Sequence, residues 1–255
     1  MQRKFLKMHG LGNDFLIIDG RIVPFAPTQD QARQLADRRW GVGCDQIIVL
    51  ETSAQADIFM RIFNADGSQA EACGNATRCV ASLMYDETGQ SPTIETLGGV
   101  LATQRIGAQF QVDMGPIEVI DTARAIPDGP GPALILDMGN PHCVFLTDRL
   151  DLVTDLGPKI EIDPQFPNRT NVQFVQVISP TEIRQRVWER GAGLTQASGS
   201  GACAGAVAAM VAGGCLRHVR VHMDGGDLEI TWRESDGHVL MRGPHTLVFE
   251  GCLDL

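Results

Sequence analysis

The chain has 255 residues, 44% of them hydrophobic and 20% charged, with 21 Lys plus Arg against 31 Asp plus Glu for a net charge of −10. That is a globular composition, long enough for one large core or two moderate ones. Its acidic balance, with no basic run, argues against nucleic acid or an anionic membrane as a partner. No apolar stretch reaches the roughly eighteen residues of a spanning helix, and the basic start Met1-Gln2-Arg3-Lys4 leads into no apolar segment of a signal peptide.

In chain order, strand-like runs dominate: 15–19, 46–51, 58–63, 110–114, 134–138, 172–178, 183–188, 219–223, 228–232 and 246–249. Many alternate apolar and polar residues, as antiparallel sheets with one wet face do. Residues 28–39 read as a surface helix capped by Thr28. Residues 75–86 and 200–212 are rich in Ala, Val and Met and poor in charge, and read as buried helices wrapped by sheet, the second stopped by Gly213-Gly214. The Pro/Gly-rich stretch 127–132 reads as a surface loop.

The chain repeats itself. A shift of 125 lays Arg61-Ile62-Phe63-Asn64 on Arg186-Val187-Trp188-Glu189, Ala72-Cys73-Gly74-Asn75 on Ala197-Ser198-Gly199-Ser200, and Asp45-Gln46-Ile47 on Thr170-Asn171-Val172, while Gly12-Asn13 meets Gly139-Asn140 at a shift of 127. Four matches in one order at nearly one offset indicate a duplicated domain rather than a solenoid.

The seven cysteines are odd in number and form no CxxC pair, which indicates reduced thiols and a cytoplasmic protein, with neither a disulfide framework nor a metal site. Cys79 and Cys203 fall inside apolar helical stretches and read as small buried hydrophobes. Cys73 differs, because Cys73-Gly74-Asn75 opens a helix, whose unpaired N–H groups can lower a thiol pKa from about 8.5 and bind a carboxylate. Ser198-Gly199-Ser200 is the same device in the second half. Before it stand Glu189 and Arg190, which alone would read as a surface ion pair; the internal match gives them a functional reading. Asn13, Gln46, Asn64, Asn140 and Asn171 stand at strand ends or in turns. Any one of them would be an ordinary turn residue, but four of the five occupy matching repeat positions. Amides donate and accept, which suits a zwitterionic amino acid, and Arg190 adds a bidentate clamp for a carboxylate. His142 is the one histidine beside such a motif; the other five read as core or surface residues.

His9-Gly10-Leu11-Gly12-Asn13-Asp14-Phe15, Asn64-Ala65-Asp66-Gly67-Ser68, Cys73-Gly74-Asn75, Gly139-Asn140-Pro141-His142 and Glu189-Arg190-Gly191-Ala192-Gly193 together resemble the diaminopimelate epimerases, in that family's order and over nearly the whole chain. The resemblance implies an α/β (α+β) fold of two pseudo-symmetric domains. Each is a curved, mostly antiparallel sheet around a central helix, with the active site in the interdomain cleft. Residues 1–115 plus 245–255 would carry Cys73, and residues 116–244 would carry Ser198. It implies a homodimer in lysine and cell-wall precursor synthesis, acting on diaminopimelate without pyridoxal phosphate or any other cofactor. By position, Cys73 is one of two catalytic thiols. Gly74-Asn75 and Gly199-Ser200 hold the reacting carboxylate. Asn13, Gln46, Asn64, Asn140, Asn171, Glu189 and Arg190 hold the substrate, and His142 and Glu189 tune the thiols.

One residue departs from that pattern: Ser198 stands where the second thiol belongs. Epimerisation needs a base on one face of the α-carbon and an acid on the other, and a hydroxyl titrates far above the working range of a thiol. Three explanations stand open: a catalytic residue replaced by experiment, a natural one-thiol enzyme, and an altered reaction. The alternatives to an impaired epimerase are a one-thiol dehydratase-like member of the superfamily and a non-catalytic amino-acid-binding protein.

Overall fold

The structure, a computed structural model, describes residues 2–254. In chain order the elements are β1 (Gln2–Gly10), β2 (Asn13–Asp19), α1 (Gln29–Ala36), β3 (Gln46–Glu51), β4 (Ile58–Asn64), β5 (Gln69–Ala70), α2 (Gly74–Thr88), β6 (Thr93–Thr96), β7 (Gly99–Ile106), β8 (Gln109–Pro116) and β9 (Glu118–Arg124), then β10 (Ala133–Asp137), β11 (Pro141–Leu146), α3 (Val153–Glu161), β12 (Asn171–Ser179), β13 (Glu182–Glu189), β14 (Gly193–Thr195), α4 (Gly199–Val211), β15 (His218–Met223), β16 (Gly226–Trp232), β17 (His238–Gly243) and β18 (Thr246–Asp254). This is a mixed α and β fold dominated by sheet. No described helix is long and apolar enough to cross a membrane.

The chain divides into two compact units: residues up to Val112 with Gly243 onward, and Asp113–Arg242. In the first, β18, β1 and β2 are antiparallel neighbours, β2 and β3 run parallel, β4 lies antiparallel to β3 and parallel to β6, and β6 leads on to β7. In the second, β9, β10 and β11 are antiparallel neighbours, β11 and β12 run parallel, β13 lies antiparallel to β12 and parallel to β15, and β15 leads on to β16 and β17. The sequence repeat is therefore a repeat of pairing. Ile47 faces Phe63 in one sheet and Val172 faces Trp188 in the other, both 125 residues on.

Burial explains the strand patterns. Phe15 and Ile17 pack with Val80 and Met84 of α2, while Leu16 and Ile18 pack on the other face with Ala32 and Leu35 of α1. A central strand covered on both faces reads as an unbroken apolar run, as Phe15-Leu16-Ile17-Ile18 does. In the second unit Phe145 and Phe174 stack at 5.4 Å against Val153 and Ile160 of α3, each fully buried ring contributing about 1.5–3 kcal/mol. The helix α1 starts with a reciprocal capping box between Thr28 and Gln31. In α4, Ala202 to Ala209 are all buried, so it has no wet face. The β1–β2 hairpin closes through Leu11 (φ 59°) and Gly12 (φ 84°); positive φ at both positions matches the strand twist and delivers Asn13 as the first residue of β2.

Candidate active site

The expected site residues fall in two groups, one per unit, at the same places in the two sheets. In the first unit Cys73 is the N-cap of α2, in extended backbone (φ −150°, ψ 104°), with no acidic residue in the first helical turn. Its Sγ lies 3.8 Å from Asn13 Oδ1, which also accepts from Asn75 Nδ2 at 3.2 Å. The Asn13 amide is aimed from behind, since its Nδ2 donates to Asp45 Oδ2 at 2.9 Å. Asp45 is itself fixed by Arg38 at 2.7 Å and by the backbone of Asp14 at 3.1 Å. Gln46 opens β3 and Asn64 ends β4, and the two join by a 3.0 Å bond from Gln46 Nε2 to Asn64 Oδ1. Gln46 Oε1 and Asn75 Oδ1 are buried acceptors that meet no donor within the protein.

In the second unit Ser198 is the N-cap of α4 and almost fully buried, at 2% exposure. Its hydroxyl donates to Glu189 Oε2 at 2.7 Å and accepts from Gly201 N–H at 3.2 Å. The other Glu189 oxygen accepts from Thr195 Oγ1 at 2.5 Å. Asn140 Nδ2 donates to Ser200 Oγ at 3.3 Å. His142 is fully buried: Gln173 Nε2 donates to its Nδ1 at 2.8 Å, so its proton sits on Nε2 and is given to Asn140 Oδ1 at 2.9 Å. Burial pushes this imidazole down to about 3, and it is neutral near pH 7. It orients the Asn140 amide. Asn171 is spent on the backbone at both ends, with Nδ2 on Pro141 O at 3.0 Å and Oδ1 accepting Arg190 N–H at 2.9 Å. The Arg190 side chain is exposed, and its Nη1 donates to Asn168 O at 3.4 Å.

The family model described as diaminopimelate epimerase matches residues 5–120 and 134–248. The chain belongs to the diaminopimelate epimerase family. The diaminopimelate epimerase of Rhodospirillum centenum is 50% identical over 99% of this chain and 93% of its own length. That of Gluconobacter oxydans is 49% identical over 98% of this chain and 99% of its own. Among solved structures, a Bacillus anthracis phenazine biosynthesis protein shares the fold at a TM-score of 0.74 with 17% identity, each chain covered in full. A hydroxyproline epimerase from Agrobacterium vitis does so at 0.72 with 14% identity, covering 99% of this chain and 92% of that one.

Set among diaminopimelate epimerases, this chain shows polar partners that a motif reading passes over. Asp45, Gln173 and Thr195 touch Asn13, His142 and Glu189 directly. Gln173 carried a signal in the sequence, as one of two amides in the otherwise apolar run Val172–Val177, and it is buried at 0% exposure. Thr195 carried none, because it reaches Glu189 only through the β13–β14 pairing. Cys79 and Cys203, read as structural, are buried. Burial pushes the Cys79 thiol up to about 12. Among the described residues, no group of three His, Cys, Asp or Glu is placed to share a metal ion.

Proposed function

We propose that the chain interconverts LL- and meso-diaminopimelate without a cofactor, by removing the α-proton and returning one on the opposite face, and that Ser198 limits this reaction. The observation that carries the reading is the matched pair of helix caps, Cys73 before α2 and Ser198 before α4, in equivalent places of two equivalent sheets. The N–H groups of Gly74-Asn75 and Gly199-Ser200 offer the reacting carboxylate partial positive charge from two helix starts. As the Cys73 thiolate takes the α-proton, the electron pair left on carbon spreads into that carboxylate, and those N–H groups stabilise the charge. Return of a proton on the other face falls to residue 198, a hydroxyl whose proton points at Glu189. Asn13, Gln46, Asn64, Asn140, Asn171, Glu189 and Arg190 form the polar surroundings for the two amino-acid ends, with Arg190 as the clamp for the distal carboxylate.

A cytoplasmic homodimer fits the same reading. All seven cysteines are free thiols, and the half-exposed Leu247, Val248 and Phe249 of β18 are apolar surface that a second copy would cover. The dehydratase-like and non-catalytic readings are not favoured, since near-full-length relatives at 45–50% identity are named as epimerases. Epimerase turnover of the Ser198→Cys variant tests the proposal. A rise of about 10²–10⁴-fold, the usual worth of a general acid–base group, is expected. Equal turnover of the two forms would refute it.

A further inference from the structure

We propose that Glu161, the last residue of α3, is a positioning residue that clamps the turn carrying Glu189 and Arg190. Its Oε2 accepts the indole N–H of Trp188 at 2.7 Å, and its Oε1 accepts the backbone N–H of Gly191 at 2.8 Å. These donors bracket the pair Glu189-Arg190, and Asn171 Oδ1 holds Arg190 N–H between them at 2.9 Å. With the backbone held at Arg190 and Gly191 and the Trp188 indole anchored beside them, Glu189 reaches Ser198 and Thr195 while Arg190 extends outward. The inference rests on the proposed function for the meaning of those two side chains, but the clamp itself is a matter of geometry.

Two features separate Glu161 from an ordinary surface carboxylate. It is 7% exposed, and it stands at the C-terminal end of a helix, where the carbonyl dipoles disfavour negative charge. A buried anion at the wrong end of a helix persists only where its hydrogen bonds outweigh both penalties. Burial alone would raise its pKa, but the Trp188 and Gly191 donors and the nearby Arg169 hold it below the usual range. The helix is also pressed onto the end of β13 that leads into the turn, since a Cβ at Gly157 would come within 2.6 Å of Trp188 Cβ.

The chemistry makes the isosteric variant informative. A carboxylate accepts at both atoms, whereas an amide accepts at one and donates at the other. In Glu161→Gln, therefore, either Trp188 Nε1–H or Gly191 N–H must face an NH₂ group. Affinity for LL-diaminopimelate, measured by calorimetry on the full chain, is expected to fall roughly tenfold or more, the cost of a buried donor left unpaired. Trp188→Phe removes one of the two donors and should change affinity little. In the double variant Glu161→Gln/Trp188→Phe, the remaining amide oxygen can serve Gly191 alone, so affinity should recover most of the loss. A merely structural role would instead make the double variant worse than either single one. Amide hydrogen exchange gives a readout that needs no ligand: Gly191 N–H should be protected in the parent and exchange faster in Glu161→Gln, with protection regained in the double variant. Unchanged affinity in Glu161→Gln, a double variant as weak as the single, or Gly191 exchange that ignores residue 161 would each overturn the inference. If the parent binds no diaminopimelate, the proposed function falls, and the exchange of Gly191 decides the clamp alone.

Discussion

In deuterated water this chain should exchange the α-proton of one diaminopimelate stereoisomer and leave the equivalent proton of the other nearly untouched. The reason lies at residue 198. Its hydroxyl donates to Glu189 at 2.7 Å, so Glu189 is the group that would have to take its proton. Taking a proton from an aliphatic hydroxyl costs about 7 pKa units more than taking one from a thiol, or about 10 kcal/mol, whatever group accepts it. The pair Ser198–Glu189 is thus out of reach as a base where Cys–Glu would be accessible. Only Cys73 remains to deprotonate, and the isomer whose proton faces it should take up deuterium with retained configuration. In Ser198→Cys both isomers should exchange and interconvert. That variant should also melt lower, because Ser198 Oγ caps Gly201 N–H at 3.2 Å. Loss of a serine cap costs about 0.5–2 kcal/mol, and each kcal/mol moves Tm by roughly 2–4 °C in a chain of this size. Proton NMR on LL- and meso-diaminopimelate run separately, with a melting curve of each form, reads all of this. Comparable exchange from both isomers in the parent would mean a second competent base exists, and the reasoning about Ser198 would be wrong.

Brief iodoacetamide treatment at pH 8 should label Cys73 and the exposed Cys252, with diaminopimelate protecting only Cys73. Cys44 and Cys79, pushed up by burial to about 11 and about 12, should stay unmodified; labelling led by these two would contradict the structure. Replacing Arg190 by Ala should weaken diaminopimelate binding by about 2 kcal/mol or more, the low end for a lost charge partner because the side chain is exposed before ligand binds; unchanged affinity by calorimetry would remove it from the site. The ring protons of His142 should show no titration between pH 5 and 8, since burial holds it at about 3. Because that folded value lies below the unfolded 6.5, its contribution to stability is full above about pH 6.5 and declines as the pH falls below it. Asp14 acts lower on the scale. Burial would raise its pKa, but Arg38 and Lys7 outweigh burial and bring it from 3.8 to about 2. Its contribution should be present above about pH 4 and lost between about 4 and about 2, so Asp14→Asn should make the acid limb of pH-dependent melting curves shallower.

Local physics made much of this protein legible from its residues. The Thr28 cap, the strand Gln46–Glu51 and the all-apolar helix α4 are each set by neighbours in sequence, so period and capping chemistry reveal them. The duplication was legible for the same reason, because equivalent turns and strand ends need equivalent residues at equal spacing. The helix α3 was not legible: with Gly157 and Pro158 inside it, propensity opposes it, and it exists because its face packs on Phe174 and Trp188. The strand β1 was missed as well, since Lys4 and Lys7 interrupt its apolar pattern, and Lys7 is buried because Asp14, 2.6 Å away, and the Gly43 carbonyl both accept from its ammonium. The motifs placed Cys73, Ser198, Asn13 and Arg190 at helix and strand ends, but not the residues that aim them. Asp45 on Asn13, Gln173 on His142 and Glu161 on Gly191 are separated from their partners by 32, 31 and 30 residues. Such pairs are fixed by strand register and by burial that withholds water as the competing partner. Neither exists until the chain has folded, so only the tertiary structure turns a set of polar residues into oriented donors and acceptors.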